Sequence, residues 1–380
     1  MGAMWVTTAL AAAYLLLGVN GTAVGTLILF GTGGFFIVYL IVACAALYTR
    51  ITGRWDPAME PQGPRGFGVS LPWSPTSASR KGTAMTATPV ERIVDVPGGR
   101  VWTGTYGEGP AVPLLVLHGG PGMPSYYLEP LAALANERPV VFYDQLGCGR
   151  SERPDDPSLW TVERAVAEIE AVRQALRLSQ VHVLGHSWGG FLALAHAGRH
   201  GHGVDSLVLA SPLVSTAAWV EDAAALVATL PPEVQATIAD HERRQSFDDA
   251  AYLRATDAFY RRFFCTLDPW PAALERTMRE LGEGPYLTLW GPSEFTQTGT
   301  LRGADLTPSL ERLDVPSLWV GGDRDEVAPA RLTGFAERAS GRVEVLEGGS
   351  HCVHLEQTER YLRVVGAFLA DVDAGQAGAR

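Results

Sequence analysis

Cysteine is scarce in this chain of 380 residues. Four occur, Cys44, Cys148, Cys265 and Cys352, with no C-x-x-C pair and no metal-ligand spacing. That pattern excludes a disulfide framework and a cysteine-based metal site as organisers of the fold, and neither a metal nor a cofactor is expected. A basic face is also lacking. Thirty Lys and Arg stand against 41 Asp and Glu, for a net charge of −11, and nucleic acid as a partner is excluded on that balance. Charge of either sign is absent from residues 1–49.

The uncharged opening holds two apolar runs, "AMWVTTALAAAYLLLGV" and "GTLILFGTGGFFIVYLIVACAALY". A spanning helix needs about 20 apolar residues, so residues 1–50 read as a transmembrane segment, a two-helix hairpin in preference to one helix. A signal peptide fits less well, because no positive charge precedes the apolar stretch and the stretch is too long. Arg50 and Arg54 follow the second run, and the positive-inside tendency then puts the remainder of the chain on the cytoplasmic side of the cell membrane. A bilayer is thus one expected partner. Residues 51–88 are rich in Pro, Gly and Ser and read as a linker.

Beyond the linker, β-type and helical patterns alternate. "ERIVDVPGGRVWTGTYG" reads as a hairpin. "VPLLVLHGG", "PVVFYD", "VHVLGHS", "VDSLVLAS", "VPSLWVGG" and "RVEVLEGG" read as strands, with helices over "YLEPLAALANE", "TVERAVAEIEAVRQALRL", "WGGFLALAHAGRH" and "QTERYLRVVGAFLADV". Such alternation implies a mostly parallel sheet with helices on both faces. The sheet-forming core is expected over 89–213 and 306–373. Residues 214–305 are helical in character and lie between two sheet strands. They are expected to form a cap over the C-terminal edge of the sheet, where such sheets bind ligands.

Three side chains stand at strand ends on that edge. Gly185-His186-Ser187-Trp188-Gly189 is a G-x-S-x-G between a strand and a helix, a turn so sharp that small residues must flank the serine. Serine is a poor nucleophile without a base, and the base needs an orienting acid. In folds with this turn the partners follow as an acid and then a histidine. Asp325, in "VGGDRDEVAP", and His351, in "LEGGSHCVH", have that order. Asp323 and Glu326 are rivals for the acid, and His354 for the base. Asp325 is favoured because it lies deeper in the turn, and His351 because His354 already enters the closing helix.

"LLVLHGGPG", Leu114 to Gly122, drives a strand into nearly bare backbone. Acyl transfer passes through an oxyanion that preorganised N–H donors stabilise. The N–H of Trp188, after the nucleophile, and the N–H of Gly120 are the expected donors.

"LHGGPG", "YDQLGCGRS", "GHSWGG", "GDRDEVAP" and "GGSH" together resemble the proline iminopeptidase family of α/β-hydrolase serine peptidases, and the likeness runs from about residue 90 to 370. The resemblance implies an α/β-hydrolase fold with a helical cap and removal of an N-terminal residue, often proline, from short peptides or amino-acid amides. It also implies acidic cap residues that hold the free α-ammonium. Glu294 matches one such position. Near the second, this chain shows Arg254 and Asp257, so Asp257 is the expected stand-in and a preference for proline is open. The nearest alternative is an esterase, amidase or lactonase with no need for a free amine. An epoxide hydrolase or dehalogenase would carry Asp in place of Ser187, and a non-catalytic binding module would not need an intact set of these residues.

Overall fold

The computed structural model describes residues 88–379. The membrane segment expected within residues 1–50, and all of the linker but residue 88, lie outside the described residues. Among the described residues no helix is long and apolar enough to cross a membrane.

The hairpin forms as expected. Strand β1 (Val90–Val96) turns through Pro97 and Gly98 into β2 (Gly99–Tyr106), with Val96 opposite Gly99. Gly98 sits at φ +92°, a backbone conformation open to glycine without steric cost. The sheet continues with β3 (Leu114–Leu117), β4 (Val140–Tyr143), β5 (Val181–His186), β6 (Val204–Ala210), β7 (Ser317–Gly322) and β8 (Arg342–Leu346). Their order is β1-β2-β4-β3-β5-β6-β7-β8. β1–β2 and β2–β4 pair antiparallel, and every later neighbour pairs parallel.

Every residue of β3, β5 and β6 is buried, as strands covered on both faces must be. The two-residue period divides them between two cores. Leu115, Leu117, Val181, Val183, Leu207 and Leu209 pack with helices α1 (Val162–Ala175) and α2 (Trp188–His200). Leu114, Val116, Leu184 and Val208 pack on the opposite face. Each such side chain taken from water stabilises the fold by about 1.5–3 kcal/mol before chain entropy is charged. Helix α1 starts where its cap is expected, since the Thr161 side chain accepts from the Arg164 N–H.

The 125–136 segment differs from expectation. It is a run of 3₁₀ turns with Pro130 inside, not an α-helix. The proline removes a donor and crowds the carbonyl four residues back, which tighter, shorter turns tolerate better.

The insertion between β6 and β7 carries α3 (Thr216–Val227), α4 (Pro232–Arg244), α5 (Ala250–Phe263), α6 (Ala272–Arg279) and α7 (Glu283–Leu289). Its two ends meet in a neck: Ser215 bridges Asp305, and Leu306 N–H donates to the Val214 carbonyl at 2.9 Å. Helix α4 opens on Pro231-Pro232, whose fixed φ suits a first helical position and ends the preceding helix. The chain closes with α8 (Pro329–Arg338), the short α9 (Val353–Glu356) and α10 (Thr358–Ala379).

Candidate active site

Ser187 links the end of β5 to the start of α2 at φ +55°, ψ −120°, a strained conformation for a residue with a side chain. Two residues to either side of it, at 185 and 189, only glycine fits. A Cβ on Gly185 would lie 2.2 Å from the Gly189 carbonyl oxygen, and one on Gly189 would lie 2.2 Å from that of Leu117. The flanking glycines are therefore demanded by backbone against backbone.

The loop after β3 passes beside this turn. A Cβ on Gly119 would stand 3.0 Å from that of Ser187, and Gly120 has φ +111°. Bare backbone lies where an oxygen bound to Ser187 would sit. The Gly119 N–H is already committed to the Tyr127 hydroxyl at 2.9 Å. Among the described residues, neither the Gly120 nor the Trp188 N–H is bonded to a protein acceptor, so both remain to donate elsewhere. His118 braces the loop: its Nε2 accepts from Gln145 N–H at 2.8 Å, and the Gln145 side chain donates to the His118 carbonyl at 2.9 Å and accepts from the Trp188 indole at 3.0 Å.

His351 Nδ1 lies 2.8 Å from Asp325 Oδ1. Asp325 is in turn fixed by the Ser211 hydroxyl at 2.5 Å and the N–H groups of Gly322 and Val327 at 3.3 and 3.2 Å. Its rival Asp323 is exposed and accepts the Gly348 N–H at 2.7 Å. His354, the other rival, points its Nε2 at the Tyr127 carbonyl at 3.2 Å, and burial pulls its pKa down to about 3. It is a buried packing residue.

One cavity of about 240 Å³ is lined by Gly120, Ser187, His351, Glu294 and Glu326 together. Trp219, Tyr260, Tyr286 and Trp290 wall it. Glu294 accepts from the Trp219 indole and the Tyr260 hydroxyl, each at 3.3 Å. Asp257 is not on this wall. It lies on the outward face of α5, exposed, in an ion pair with Arg261 at 2.9 Å, because α5 turns Thr256 and Tyr260 inward and so turns Asp257 away. The expectation that Asp257 replaces a second cap glutamate is corrected by this geometry.

The second carboxylate in the cavity is Glu326, 3% exposed, with one oxygen 3.7 Å from His351 Nδ1 and the other without a hydrogen-bond partner among the described residues. Burial, with Glu294 and Asp325 adding to it against His351, raises its pKa to about 8. Burial also raises that of Glu294, opposed by the Trp219 bond and by His351. Burial by itself would depress His351, but Glu326, Asp325 and Glu294 outweigh it and hold the imidazole at about 9. Sequence reasoning weighed Glu326 only as a rival acid. A loop residue has no periodicity to show which way it faces, so no local signal assigned it to the cavity.

A second group missed in the sequence sits beneath the loops. The Tyr127 hydroxyl accepts from Gly119 N–H and lies 2.9 Å from His186 Nδ1, while His186 Nε2 lies 3.1 Å from the His351 carbonyl. Burial drives the His186 pKa well below its ordinary value. A neutral ring that accepts at Nδ1 and donates at Nε2 satisfies all three groups. Among the described residues no cluster of three His, Cys, Asp or Glu could hold a metal ion.

The family model described as alpha/beta hydrolase fold matches residues 112–358. A proline iminopeptidase of Heyndrickxia coagulans is 39% identical over 285 residues, 74% of this chain and 99% of that protein. The chain belongs to the proline iminopeptidase family of α/β-hydrolase serine peptidases. Among solved structures, the proline iminopeptidase of Mycobacterium smegmatis superposes with a TM-score of 0.71 at 35% identity, covering 76% of this chain and all of that one. VinJ superposes at 0.73 with 34% identity over 75% of this chain and all of its own. Family membership also accounts for the helical insertion, since these relatives align along their whole length.

Proposed function

We propose that the protein is a serine aminopeptidase that releases an N-terminal residue, proline or another small or apolar one, from short peptides or amino-acid amides through an acyl-enzyme. The observation that carries this is the pair of carboxylates, Glu294 and Glu326, on the wall of the cavity that holds Ser187. A cation in a partly dry pocket needs a carboxylate partner, and a buried carboxylate is best kept ionised by a cation beside it. An α-ammonium anchored there sets the distance to the first carbonyl and restricts attack to the first peptide bond.

In the proposed cycle Ser187 Oγ attacks that carbonyl while His351 Nε2 takes its proton, with Asp325 holding Nδ1. The oxyanion collects on the Gly120 and Trp188 N–H groups. The leaving amine takes the proton from His351, and water, activated by the same imidazole, then releases the acyl residue. Aromatic walls suit an apolar first side chain.

A panel of aminoacyl arylamides, with and without N-acetyl blocking, tests the amine requirement. Glu294→Gln should lower kcat/KM for free-amine substrates by roughly 1–3 kcal/mol without lowering turnover of a simple acetate ester. Equal losses on both substrates would leave an esterase, amidase or lactonase without an amine requirement as the better description.

Membrane anchoring through the uncharged residues 1–49 belongs to the same proposal, with the catalytic part on the cytoplasmic side as Arg50 and Arg54 suggest. Resistance of the full chain to carbonate extraction tests the anchor. Digestion of the catalytic part by protease added to intact cells would reverse the orientation.

A further inference from the structure

Glu326 touches both the cavity and the base. One of its oxygens is 3.7 Å from His351 Nδ1, the ring nitrogen already bonded to Asp325 at 2.8 Å. The other is buried with no hydrogen-bond partner among the described residues. One ring N–H thus faces two carboxylates where orientation needs one, and the second carboxylate also faces the place proposed for a substrate cation.

The other groups around His351 do not alter this charge pattern. His186 at the end of β5 and His354 in α9 are held neutral by burial. The hydroxyls of Tyr260 on α5 and Tyr286 on α7 are pushed well above their ordinary range by burial, as is the Cys352 thiol, while the Cys265 thiol is pushed to about 11. Trp219 and Phe264 pack on the ring without charge, and Ser187 and Ser211 bring only hydroxyls. The charges that face the imidazole come from Asp325, Glu326 and Glu294.

We propose that the substrate's α-ammonium switches the base on: as the cation settles beside Glu294 and Glu326, one proton leaves the His351–Glu326 pair for solvent, and the neutral imidazole left behind can take the Ser187 proton. The coupling presupposes the amine site proposed above. In the free enzyme His351 and Glu326 compete for one proton, and the charges of Glu326, Asp325 and Glu294 draw it to the imidazole, which then cannot accept another. Enzyme with a proton on the pair plus ammonium substrate gives the complex plus a solvent proton, so charge and atoms balance. The arriving cation satisfies the free oxygen of Glu326 and repels charge on the ring, which favours neutral imidazole and ionised Glu326 together. A neutral substrate brings no such trigger. Selectivity for free amines would then reside in the chemical step as well as in binding.

Ser187→Ala holds an amide without cleaving it. Calorimetric titration of this variant with prolinamide, alaninamide and leucinamide at about pH 7, in buffers of different ionisation enthalpy, should register release of about 0.5–1 proton per site. Adding Glu326→Gln should abolish most of that release while binding weakens about 5–50-fold. Amides that bind without proton release would overturn the switch and leave the amine site standing. If none of the amides binds, or if N-acetylprolinamide binds as tightly as prolinamide, the amine site fails and the switch with it.

The wild-type enzyme supplies a second measurement that needs no variant. Its kcat for p-nitrophenyl acetate should rise with pH through a value near 9, and its kcat for an amino-acid arylamide through one about 1–2 units lower. Superimposable profiles would refute the switch. Glu326→Gln should also raise ester turnover at neutral pH about 3–10-fold, a gain that loss of a merely structural carboxylate would not produce.

Discussion

Tyr127 and Tyr143 are both completely buried, yet removal of the hydroxyl should have different consequences at the two positions. The Tyr127 hydroxyl accepts the Gly119 N–H at 2.9 Å and lies 2.9 Å from His186 Nδ1. Tyr127→Phe keeps the ring and strands both buried partners. A buried polar group left unsatisfied costs about 1–3 kcal/mol, and two of them with partial relaxation come to about 2–4 kcal/mol. Among the described residues the Tyr143 hydroxyl has no hydrogen-bond partner, so Tyr143→Phe strands nothing there. Its effect should be within about 0.5 kcal/mol of zero, or slightly stabilising. Urea unfolding followed by tryptophan fluorescence measures both. At about 2 °C per kcal/mol for a domain of this size, Tyr127→Phe should lower Tm by about 4–8 °C and Tyr143→Phe should leave it within about 1 °C. The Tyr127 variant should also lose kcat, about 3–30-fold, with little change in KM, because the freed bonds steady the loop beside Ser187 and the backbone of His351. Equal stability changes in the two variants would refute the accounting of buried partners.

Ser187→Ala should leave the fold intact and cut turnover by roughly 10⁴-fold or more, and His351→Ala should match it in the same steady-state assay. Asp325→Asn should cost somewhat less than either, while Asp323→Asn, at an exposed residue that accepts the Gly348 N–H, should be mild; the reverse ranking would reassign the acid. Gly189→Ala should fail to give folded enzyme by circular dichroism, since its Cβ has backbone 2.2 Å away. A chain starting at residue 88 should be soluble and active, which gel filtration and the arylamide assay would check.

Much of this protein was determined by local sequence. Hydrophobic runs of strand length separated by helical periods state a parallel sheet wrapped on both sides, because a strand buried on both faces must be apolar throughout. The clash-limited turn at Ser187 is equally local: glycines at 185 and 189 are the signature of backbone packed against backbone. The strand ends at Asp325 and His351 follow from the same pattern, since parallel strands finish on one edge. Charge and aromatic partners across the cavity were not local. Asp257 and Glu326 are both acidic residues near an expected site, and nothing in their neighbours tells the outward face of α5 from the inward side of a loop. That distinction depends on how the helical insertion lands on the sheet, as do the bonds of Tyr127 and His186, which join residues 59 and 165 positions apart. Periodicity reports which face of an element is apolar. Which polar groups then meet in the dark between elements is set by packing of the whole chain, and here that packing put a second carboxylate against the histidine.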